Sequence, residues 1–578
     1  MLFSGCTLMG AQTQYQVQPD SLPQQGVPHG EMFSFEITGK TYYPGAVGTV
    51  WVYIPAEYTP DKPACLCFGL DGPGNNINNV LDNLIYKKQV PITIGVFLSA
   101  GQIVDVPSKT PLRFDRCYEW DSTNDNIDHF IYEEVLAAVK QHKATDGREI
   151  NISMDPNDHM IYGGSSGGVG SFTAAWQHPD YFRRVFTAIG TYVGMRGADM
   201  YPTLIRKTEP KPIRLFLQDG AQDTWNPLFD NWYTQNRSME ESLSFAGYDV
   251  NHSWGLLGHE GSHANSIFPD AMRWLWRDYP TPIAGGTSGN SMFKSVLVKG
   301  ETWNQAGGLA SAGALAVDPN GDVYVANKTT GDIFKLSDTG APTLFVHTNA
   351  PVAAQAFGKD GTLYVSQPTA GKLLSVSPAG ALATIATGVH IAGLFASSDG
   401  AIYASEPGAH DDDPSQIWSI TAAGAKTLLD SGVIHSTGLL LTPDHHLLFV
   451  AEGHTHWIYS YVLAPDGTLQ DKQRFYWLHV AESASDAGDW ADSTDLAEDT
   501  NGDLYVATRM GVQVCDRNGR VEGIMTLPDG TVSSLCFGGA KFDTLYIVCA
   551  DKIYKRKLQV PGVPGFSDPI KLPGFGGG

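Results

Sequence analysis

Residues 161–170 read IYGGSSGGVG and set two adjacent serines, Ser165 and Ser166, among glycines. A serine flanked by glycines is typical of a nucleophile at a sharp strand-to-helix turn, where larger neighbours would clash. The spacing Gly-x-Ser-x-Gly occurs here in two overlapping frames, one centred on each serine. The stretch predicts an attacking serine and leaves open which one it is. A flexible glycine loop is the non-catalytic alternative.

Two candidate acids follow the serines in the chain. In this kind of site the chain order is serine, acid, histidine. Residues 213–225, IRLFLQDGAQDTW, read as a strand followed by a loop, and the segment holds Asp219 and Asp223. Catalytic groups lie at the carboxyl ends of strands in open α/β sheets. Asp223 lies farther into the loop, where its side chain can reach a histidine, so we favour it as the acid.

Two histidines, His259 and His263, come next, within residues 253–276. One of them would accept the serine proton while the acid orients its ring. Two histidines four residues apart are also the spacing of a helical metal site. Because Gly261 and Ser262 disfavour a helix between them, the metal interpretation is the weaker one.

The loop CFGLDGPGNN at 67–76 is the candidate second half of an oxyanion hole. Such a hole needs one backbone N–H from the residue after the nucleophile and another from the loop after an earlier strand. The turn formed by Asp71 and Gly72 is placed to offer the second N–H.

The elements that must position these residues alternate between strand and helix from about residue 30 to 282. Continuous apolar runs, typical of strands covered on both faces, lie at 47–55, 64–70, 92–99, 159–164, 184–190 and 213–220. Helical patterns lie between and after them, at 126–142, 170–179, 229–247 and 269–279. The alternation predicts an α/β domain with a mostly parallel sheet.

A repeat replaces the helical pattern after about residue 300. Each unit is a strand, an Asp/Gly turn and a second strand, and the units lie at 313–327, 354–367, 393–406, 438–452, 495–508 and 533–550. Six such units, spaced roughly 40 residues apart, predict a six-bladed β-propeller.

The bulk composition excludes several classes of function. The net charge of −23 argues against binding nucleic acid or an anionic membrane through charge. No apolar run approaches the ~20 residues of a membrane-spanning helix. The seven cysteines form no CxxC pair, so neither a zinc ribbon nor a dense disulfide framework is expected.

Residues 30–282 resemble the esterase family that contains enterochelin esterase and the bacterial feruloyl and acetyl-xylan esterases. The resemblance is carried by LDG (70–72), RCYEWD (116–121), GGSSGG (163–168), LQDGAQD (217–223), LLGHEGSH (256–263) and PDAMRWLWRDYP (269–280). It implies an α/β-hydrolase fold and a serine esterase.

The family pattern at the serine turn is G-x-S-x-G-G, and only the frame centred on Ser165 ends in two glycines. The resemblance therefore implies that Ser165 is the nucleophile, with Asp223 as the acid and His259 as the base. It also implies an oxyanion hole built from Ser166 together with Asp71 and Gly72. His263, Trp120 and Trp225 remain candidates for the substrate side, where an aromatic side chain can stack on a sugar or phenolic ring.

The second half, most specifically residues 511–548, resembles the gluconolactonase and senescence-marker-protein family. That family holds calcium or zinc at the propeller centre with a Glu, two Asn and an Asp, hard oxygen donors that suit a divalent cation. The matching positions here are Gly313, Thr437, Ala353 or Ala392, and Thr494, with Asp495 one residue away. Since a one-residue shift turns a side chain to the other face of a strand, we expect a non-catalytic propeller. A calcium or zinc ion at the propeller centre is implied only by the resemblance to this family.

These patterns divide the chain into five segments. They are an N-terminal tail (1–28), an α/β-hydrolase domain (29–282), a linker (283–300), a six-bladed β-propeller (301–560) and a C-terminal tail (561–578). We expect residues 564–578 of this tail to be disordered.

The combined expectation is a serine carboxylesterase that hydrolyses carbohydrate-linked or aromatic esters of feruloyl or acetyl type. The esterase step needs no cofactor, and the propeller would shape the cleft or bind substrate. The partner is a small-molecule or polysaccharide ester, which implies a secreted or periplasmic protein. Two alternatives are a bifunctional esterase and metal-dependent lactonase, and a binding or scaffold protein with a relic triad.

Overall fold

Two compact units make up the protein, whose computed structural model describes residues 15–105, 107–337, 342–410, 412–482 and 488–574. The first unit comprises Met1–Arg206 and Pro210–Gly289, and the second comprises Lys207–Glu209 and Asn290–Gly578. The segment expected to be a linker (283–300) therefore divides between the two units. No helix among the described residues is both long and apolar enough to cross a membrane.

The first unit is an α/β domain. Its strands are β1 (Glu31–Thr38), β2 (Val47–Ile54), β3 (Cys65–Leu70), β4 (Thr93–Leu98), β5 (Gln102–Val104), β6 (Pro111–Phe114), β7 (His159–Gly164), β8 (Arg184–Ala188), β9 (Arg214–Gly220), β10 (Trp225–Asn226), β11 (Asp230–Asn231) and β12 (Asp249–Gly255). Its helices are α1 (Ile77–Tyr86), α2 (Arg116–Trp120), α3 (Asn126–His129), α4 (Leu136–Val139), α5 (Ser166–Gln177), α6 (Tyr201–Lys207), α7 (Trp232–Phe245) and α8 (Ser262–Leu275). A π-helical segment, Phe130–Val135, joins α3 to α4.

Ten of these strands form one mixed sheet in the order β12-β9-β8-β7-β3-β4-β2-β5-β6, with β1 pairing β2. The six strands from β12 to β4 are parallel, whereas β2 is antiparallel to β4 and to β1. Leu66 and Phe68 of β3 pack into one apolar core, and Cys65 and Cys67 pack into a second one. Because successive strand residues point to opposite faces, both faces of the central sheet are covered. This arrangement confirms the α/β prediction.

In the second unit, helix α9 (Ser291–Val296) comes before a β-propeller. Its strands are β13 (Asn304–Gln305), β14 (Ala312–Val317), β15 (Val323–Asn327), β16 (Asp332–Leu336), β17 (Pro342–His347), β18 (Ala354–Phe357), β19 (Leu363–Gln367), β20 (Lys372–Val376), β21 (Leu382–Thr387), β22 (Gly393–Ala396), β23 (Ile402–Glu406), β24 (Pro414–Ile420), β25 (Lys426–Ile434), β26 (Ser436–Leu441), β27 (Leu447–Glu452), β28 (Trp457–Leu463), β29 (Leu469–Trp477), β30 (Leu496–Glu498), β31 (Leu504–Thr508), β32 (Gly511–Cys515), β33 (Val521–Met525), β34 (Val532–Gly538), β35 (Thr544–Cys549) and β36 (Lys552–Lys557).

These strands form six four-stranded sheets, which confirms the six-bladed propeller. Five blades use four consecutive strands, while the last combines β34, β35 and β36 with β13 from the start of the unit. Strand β13 is antiparallel to β36, so an early segment of this unit completes the last blade. This exchange closes the ring by backbone hydrogen bonds and leaves fewer free strand edges.

The chain segments expected to be tails are partly packed against their units. Near the N-terminus, the Asn83 amide donates to the Asp20 carbonyl, and the Asp20 carboxylate pairs with Lys87 and Arg273. Near the C-terminus, Phe566 is buried in the propeller core. Residues 564–574 therefore pack on the propeller instead of being disordered, whereas residues 1–14 and 575–578 lie outside the described residues.

Candidate active site

Ser165 is the single residue of a tight turn between two elements of the α/β domain. Strand β7 ends at Gly164 and helix α5 begins at Ser166. Ser165 has φ 57° and ψ −123°, a conformation that costs energy for an L-residue and is concentrated at functional sites. A Cβ on Gly163 would lie 2.3 Å from the Gly167 carbonyl oxygen. The turn can therefore be this tight only with glycine at position 163.

His259 connects the Ser165 hydroxyl to a buried carboxylate. The His259 Nε2 atom lies 2.8 Å from Ser165 Oγ, and its Nδ1 atom lies 2.9 Å and 3.1 Å from the two Asp223 oxygens. An ionised carboxylate only accepts hydrogen bonds, so Nδ1 carries the proton and Nε2 is left to accept from the serine. The side chains of Ser165, His259 and Asp223 thus form one hydrogen-bonded chain.

The second candidate acid, Asp219, has a different environment at the end of β9. Burial, together with a hydrogen bond to Asp223, raises the pKa of Asp219 to about 9. Burial also raises the pKa of Asp223, but hydrogen bonds from His259 and Asp219 outweigh it and lower that pKa below its usual value. At neutral pH Asp219 is a neutral acid, and Asp223 is the charged partner of the histidine.

Two backbone N–H groups are available for a developing oxyanion. Ser166 is the first residue of α5, and its N–H is one of those at a helix start that have no acceptor within the helix. Asp71, at φ 67°, has an N–H without an acceptor among the described residues. The prediction for Gly72 is corrected, because its N–H donates to the Leu98 carbonyl at 3.0 Å. That N–H is used to fasten the loop to β4.

Arg116 joins the two halves of this candidate oxyanion hole. Its guanidinium donates to both carboxylate oxygens of Asp71, at 2.9 Å and 2.7 Å, and to Ser166 Oγ at 3.0 Å. The fully buried Trp120 donates from Nε1 to Asp71 at 3.1 Å. Trp120 therefore holds the loop from within, and the prediction that it faces substrate is wrong.

Of the other two substrate-side candidates, His263 is also corrected. It lies in the first turn of α8 and is 3% exposed, with Gln218 and Ser253 hydrogen-bonded to its two ring nitrogens. Because its ring is enclosed by these partners, it cannot reach a substrate. Trp225 is 66% exposed and follows Asp223 by two residues, so its substrate role stays a prediction.

Known families match both units. Residues 44–276 match the family model Esterase, described as "Putative esterase", and residues 393–551 match the model described as SMP-30/Gluconolactonase/LRE-like region. The chain joins an esterase-type α/β domain to a gluconolactonase-like β-propeller.

Several solved structures are similar to one unit or the other of this esterase and propeller chain. A gluconolactonase from Xanthomonas campestris is 16% identical, covers 46% of this chain and 93% of its own, and has a TM-score of 0.41. The enterobactin esterase of Shigella flexneri is 17% identical, covers 45% of this chain and 63% of its own, and has a TM-score of 0.34. A ferulic acid esterase is 14% identical, covers 43% of this chain and 99% of its own, and has a TM-score of 0.34. No curated protein matches the chain in sequence.

The esterase domain also contains two site residues that the sequence patterns did not indicate. Thr191 follows β8, and its Oγ1 atom lies 3.2 Å from Ser165 Oγ. Its N–H donates to the Ser165 carbonyl at 3.1 Å, and Trp232 Nε1 donates to its hydroxyl at 3.2 Å. Trp232 also packs edge-on against the His259 ring. Position at the end of a parallel strand was the only signal that could have pointed to Thr191.

The propeller contains a cavity of about 480 Å³, whose lining includes Gly313, Ala353, Ala392 and Asp495. The Asp495 carboxylate accepts hydrogen bonds from Ser534 Oγ and from the N–H groups of Leu496 and Leu535.

Burial, opposed by these hydrogen bonds, raises the pKa of Asp495 to about 6. The Thr437 hydroxyl is likewise engaged, by the Ser493 carbonyl. A divalent cation needs several free oxygen donors. At the positions that match the family's ligands, Gly313, Ala353 and Ala392 have no side-chain oxygen, and the oxygens of Asp495 and Thr437 are already hydrogen-bonded. These positions therefore do not supply the donor set with which the family holds calcium or zinc.

Proposed function

We propose that the esterase domain is a serine carboxylesterase that works through Ser165, His259 and Asp223. The observation that carries this proposal is the hydrogen-bonded chain from Ser165 Oγ through both ring nitrogens of His259 to Asp223. A relic triad in a binding or scaffold protein would not need to keep these distances. The strained backbone of Ser165 supports the same conclusion, because it costs stability without a packing benefit.

The proposed reaction follows from the hydrogen-bond directions. His259 Nε2 takes the Ser165 proton while Oγ attacks the ester carbonyl, and Asp223 stabilises the imidazolium that forms. The negative oxygen of the intermediate accepts hydrogen bonds from the N–H groups of Ser166 and Asp71. His259 then returns the proton to the leaving alcohol, and water releases the acid by the same route. No cofactor takes part in these steps.

The substrate we propose is a carbohydrate-linked or aromatic ester of feruloyl or acetyl type. Large exposed apolar side chains, Trp225 and Leu228 near Asp223 and Leu256 near His259, occur in the loops that carry the triad. Aromatic side chains supply a flat apolar surface for a phenolic or sugar ring. The net charge of −23 favours an uncharged ester over an anionic ligand. A plant polymer substrate would place the protein outside the cytoplasm.

We assign the propeller a non-catalytic role as a module that binds substrate. The alternative, a second lactonase activity, requires a divalent ion at a centre where the Asp495 carboxylate already accepts three hydrogen bonds from protein groups. Lactone hydrolysis that survives Ser165→Ala and is abolished by a chelator would establish that alternative.

The test uses the full chain and hydrolysis of p-nitrophenyl acetate. Ser165→Ala should abolish turnover. Ser166→Ala keeps the backbone N–H that the oxyanion needs and should only reduce it. A chelator should leave the activity unchanged. Equal loss in the two variants, or loss in Ser166→Ala alone, would contradict the assignment of the nucleophile.

A substrate panel tests the finer part of the proposal. Methyl ferulate, acetylated xylan and a glucuronate methyl ester should be compared by kcat/KM on the wild-type chain. We expect the feruloyl or acetyl ester to be preferred and Trp225→Ala to raise KM for the ferulate more than for p-nitrophenyl acetate. An equal effect on both would remove Trp225 from the substrate site.

A further inference from the structure

A group of three potential metal ligands lies at the far end of the nucleophile helix. Asp125 precedes α3, His129 is its last residue, and His178 follows the last residue of α5. Asp125 Oδ2 lies 3.6 Å from His129 Nε2 and 3.9 Å from His178 Nε2. One ligand atom from each residue lies within 4.8 Å of the other two. Ligands about 2.1 Å from a tetrahedral zinc ion are roughly 3.4 Å apart, so small rotations bring these atoms to bonding positions.

Both imidazoles are oriented by a second carboxylate on the side away from Asp125. His129 Nδ1 lies 3.0 Å from Glu133 Oε1, and His178 Nδ1 lies 3.2 Å from Asp180 Oδ1. Because a carboxylate only accepts, each Nδ1 carries its proton and each Nε2 faces Asp125. A carboxylate behind each metal-binding histidine is the usual second layer of a zinc site, where it sets the tautomer and ring orientation.

Aromatic rings hold the same two histidines in place. Tyr42 stacks on the His129 ring at 5.3 Å, and its hydroxyl donates to Glu133 at 2.6 Å. Tyr181 stacks on the His178 ring at 4.7 Å. The ligands therefore lose little conformational freedom on binding an ion, which increases affinity.

We propose that Asp125, His129 and His178 bind one Zn²⁺ ion in the esterase domain, with water in the fourth position. Two imidazoles and one carboxylate are donors that suit zinc. The three side chains are 41%, 28% and 23% exposed, in that order, so an ion and its water can enter from solvent.

The proposed ion has a structural role and takes no part in ester hydrolysis. Helix α5 has 12 residues between Ser165 and His178, a length of about 18 Å. Zinc would join the end of α5 to α3 and so fasten the helix whose other end carries the nucleophile. Its removal should lower stability and leave turnover of the folded protein unchanged.

The competing explanation is a proton in place of the metal. Burial lowers the pKa of His178, but Asp125 and Asp180 outweigh it and raise that pKa to about 10. A protonated His178 would make the same contacts with its carboxylate neighbours. Direct measurement of zinc binding separates the two explanations, because an ion pair alone binds no zinc.

The experiment titrates Zn²⁺ into the chelator-treated full chain, using calorimetry and a competing chromogenic chelator. We expect one tight site per chain and, at hundredfold excess over Kd, a melting transition raised by roughly 5–10 °C. Co²⁺ in the same site should show the visible absorption of a tetrahedral ion. The absence of a one-to-one site that raises the melting temperature would overturn the proposal.

Four variants locate the ion. His129→Gln and His178→Gln should abolish the tight site, and Asp180→Asn should weaken it by about 10- to 100-fold. The matched control is His252→Gln, which removes a histidine that has one carboxylate neighbour, Glu240 at 3.7 Å. Ester hydrolysis at Ser165 reports that each variant is folded. The proposal would also be overturned if His178→Gln bound zinc as tightly as the control His252→Gln. Neither this result nor the absence of a one-to-one zinc site would affect the assignment of the esterase triad.

Discussion

Replacing Gly163 with alanine should lower the rate of ester hydrolysis at least fiftyfold, whereas the same change at Gly164 should be tolerated. A Cβ on Gly163 would lie 2.3 Å from the Gly167 carbonyl oxygen, against a normal minimum of 3.0 Å. Strand β7 and helix α5 would have to separate by roughly 0.7 Å, an overpacking that costs about 1–3 kcal/mol. Ser165 lies between these two elements, and a displacement of about 1 Å at a reacting atom can lower the rate by 10²-fold. We therefore expect Gly163→Ala to lower kcat/KM at least fiftyfold, which is roughly the effect that a displacement of this size has on a reaction rate.

Gly164 is the matched control because it is the next residue of the same strand. A Cβ there would meet only the Ala188 carbonyl oxygen, at 3.7 Å, which is an ordinary contact. Gly164→Ala should therefore keep activity within about threefold of the wild type, since substitutions that need no rearrangement change stability little. The assay is kcat/KM for p-nitrophenyl acetate, with circular dichroism and thermal melting to show that both variants are folded.

The two Gly-x-Ser-x-Gly frames make opposite demands on these glycines. The frame of Ser165 begins at Gly163, and the frame of Ser166 begins at Gly164. An active Gly163→Ala variant, or a folded Gly164→Ala variant without activity, would show that the clash at the turn does not control the nucleophile.

Three further predictions concern residues that contact Ser165, Asp71 or Asp223. Thr191→Val removes a hydroxyl 3.2 Å from Ser165 Oγ and should lower kcat/KM by roughly 2- to 13-fold, the cost of one hydrogen bond; unchanged kcat/KM would exclude a role for this contact. Arg116→Gln breaks the paired hydrogen bonds to Asp71 and should lower kcat by about tenfold with little change in KM. Steady-state kinetics measures both constants, and a change in KM with kcat unaltered would contradict this role of Arg116. Burial, then its hydrogen bond to a neighbouring carboxylate, raises the folded-state pKa of Asp219 from 3.8 to about 9. Its proton stabilises the fold fully below pH 3.8, and this contribution is lost as pH rises towards 9. The melting temperature of the wild type should therefore fall more steeply than that of Asp219→Asn between pH 4 and 9, and parallel curves would refute the buried neutral acid.

Much of the fold could be predicted from local patterns, and the exceptions have physical causes. The buried strands were indicated by their apolar runs, and the blades by a repeated turn in which an Asp side chain accepts from the backbone, as Asp318 does. Strand β13 has only two residues, Asn304 and Gln305, too few for any periodicity. Helix α8 begins at Ser262, where Gly261 and Ser262 predicted a loop. Its buried residues, among them Phe268, pack in the core, and this packing outweighs weak helix propensity at its start.

The sequence by itself determined which segments carry chemistry: a glycine-flanked serine turn, an acidic loop after a strand, and a histidine segment, in that order. It could do so because turn residues and strand periodicity depend on only a few neighbouring positions and can be recognised in a short stretch of sequence. Only the tertiary structure decided which members of each pair meet, since Ser165 and His259 are 94 residues apart in the chain and are brought together by the packing of parallel strands. The same packing encloses His263, occupies the N–H of Gly72 and keeps a proton on Asp219. Burial and contact distance are properties of the folded chain, and no short stretch of sequence contains them.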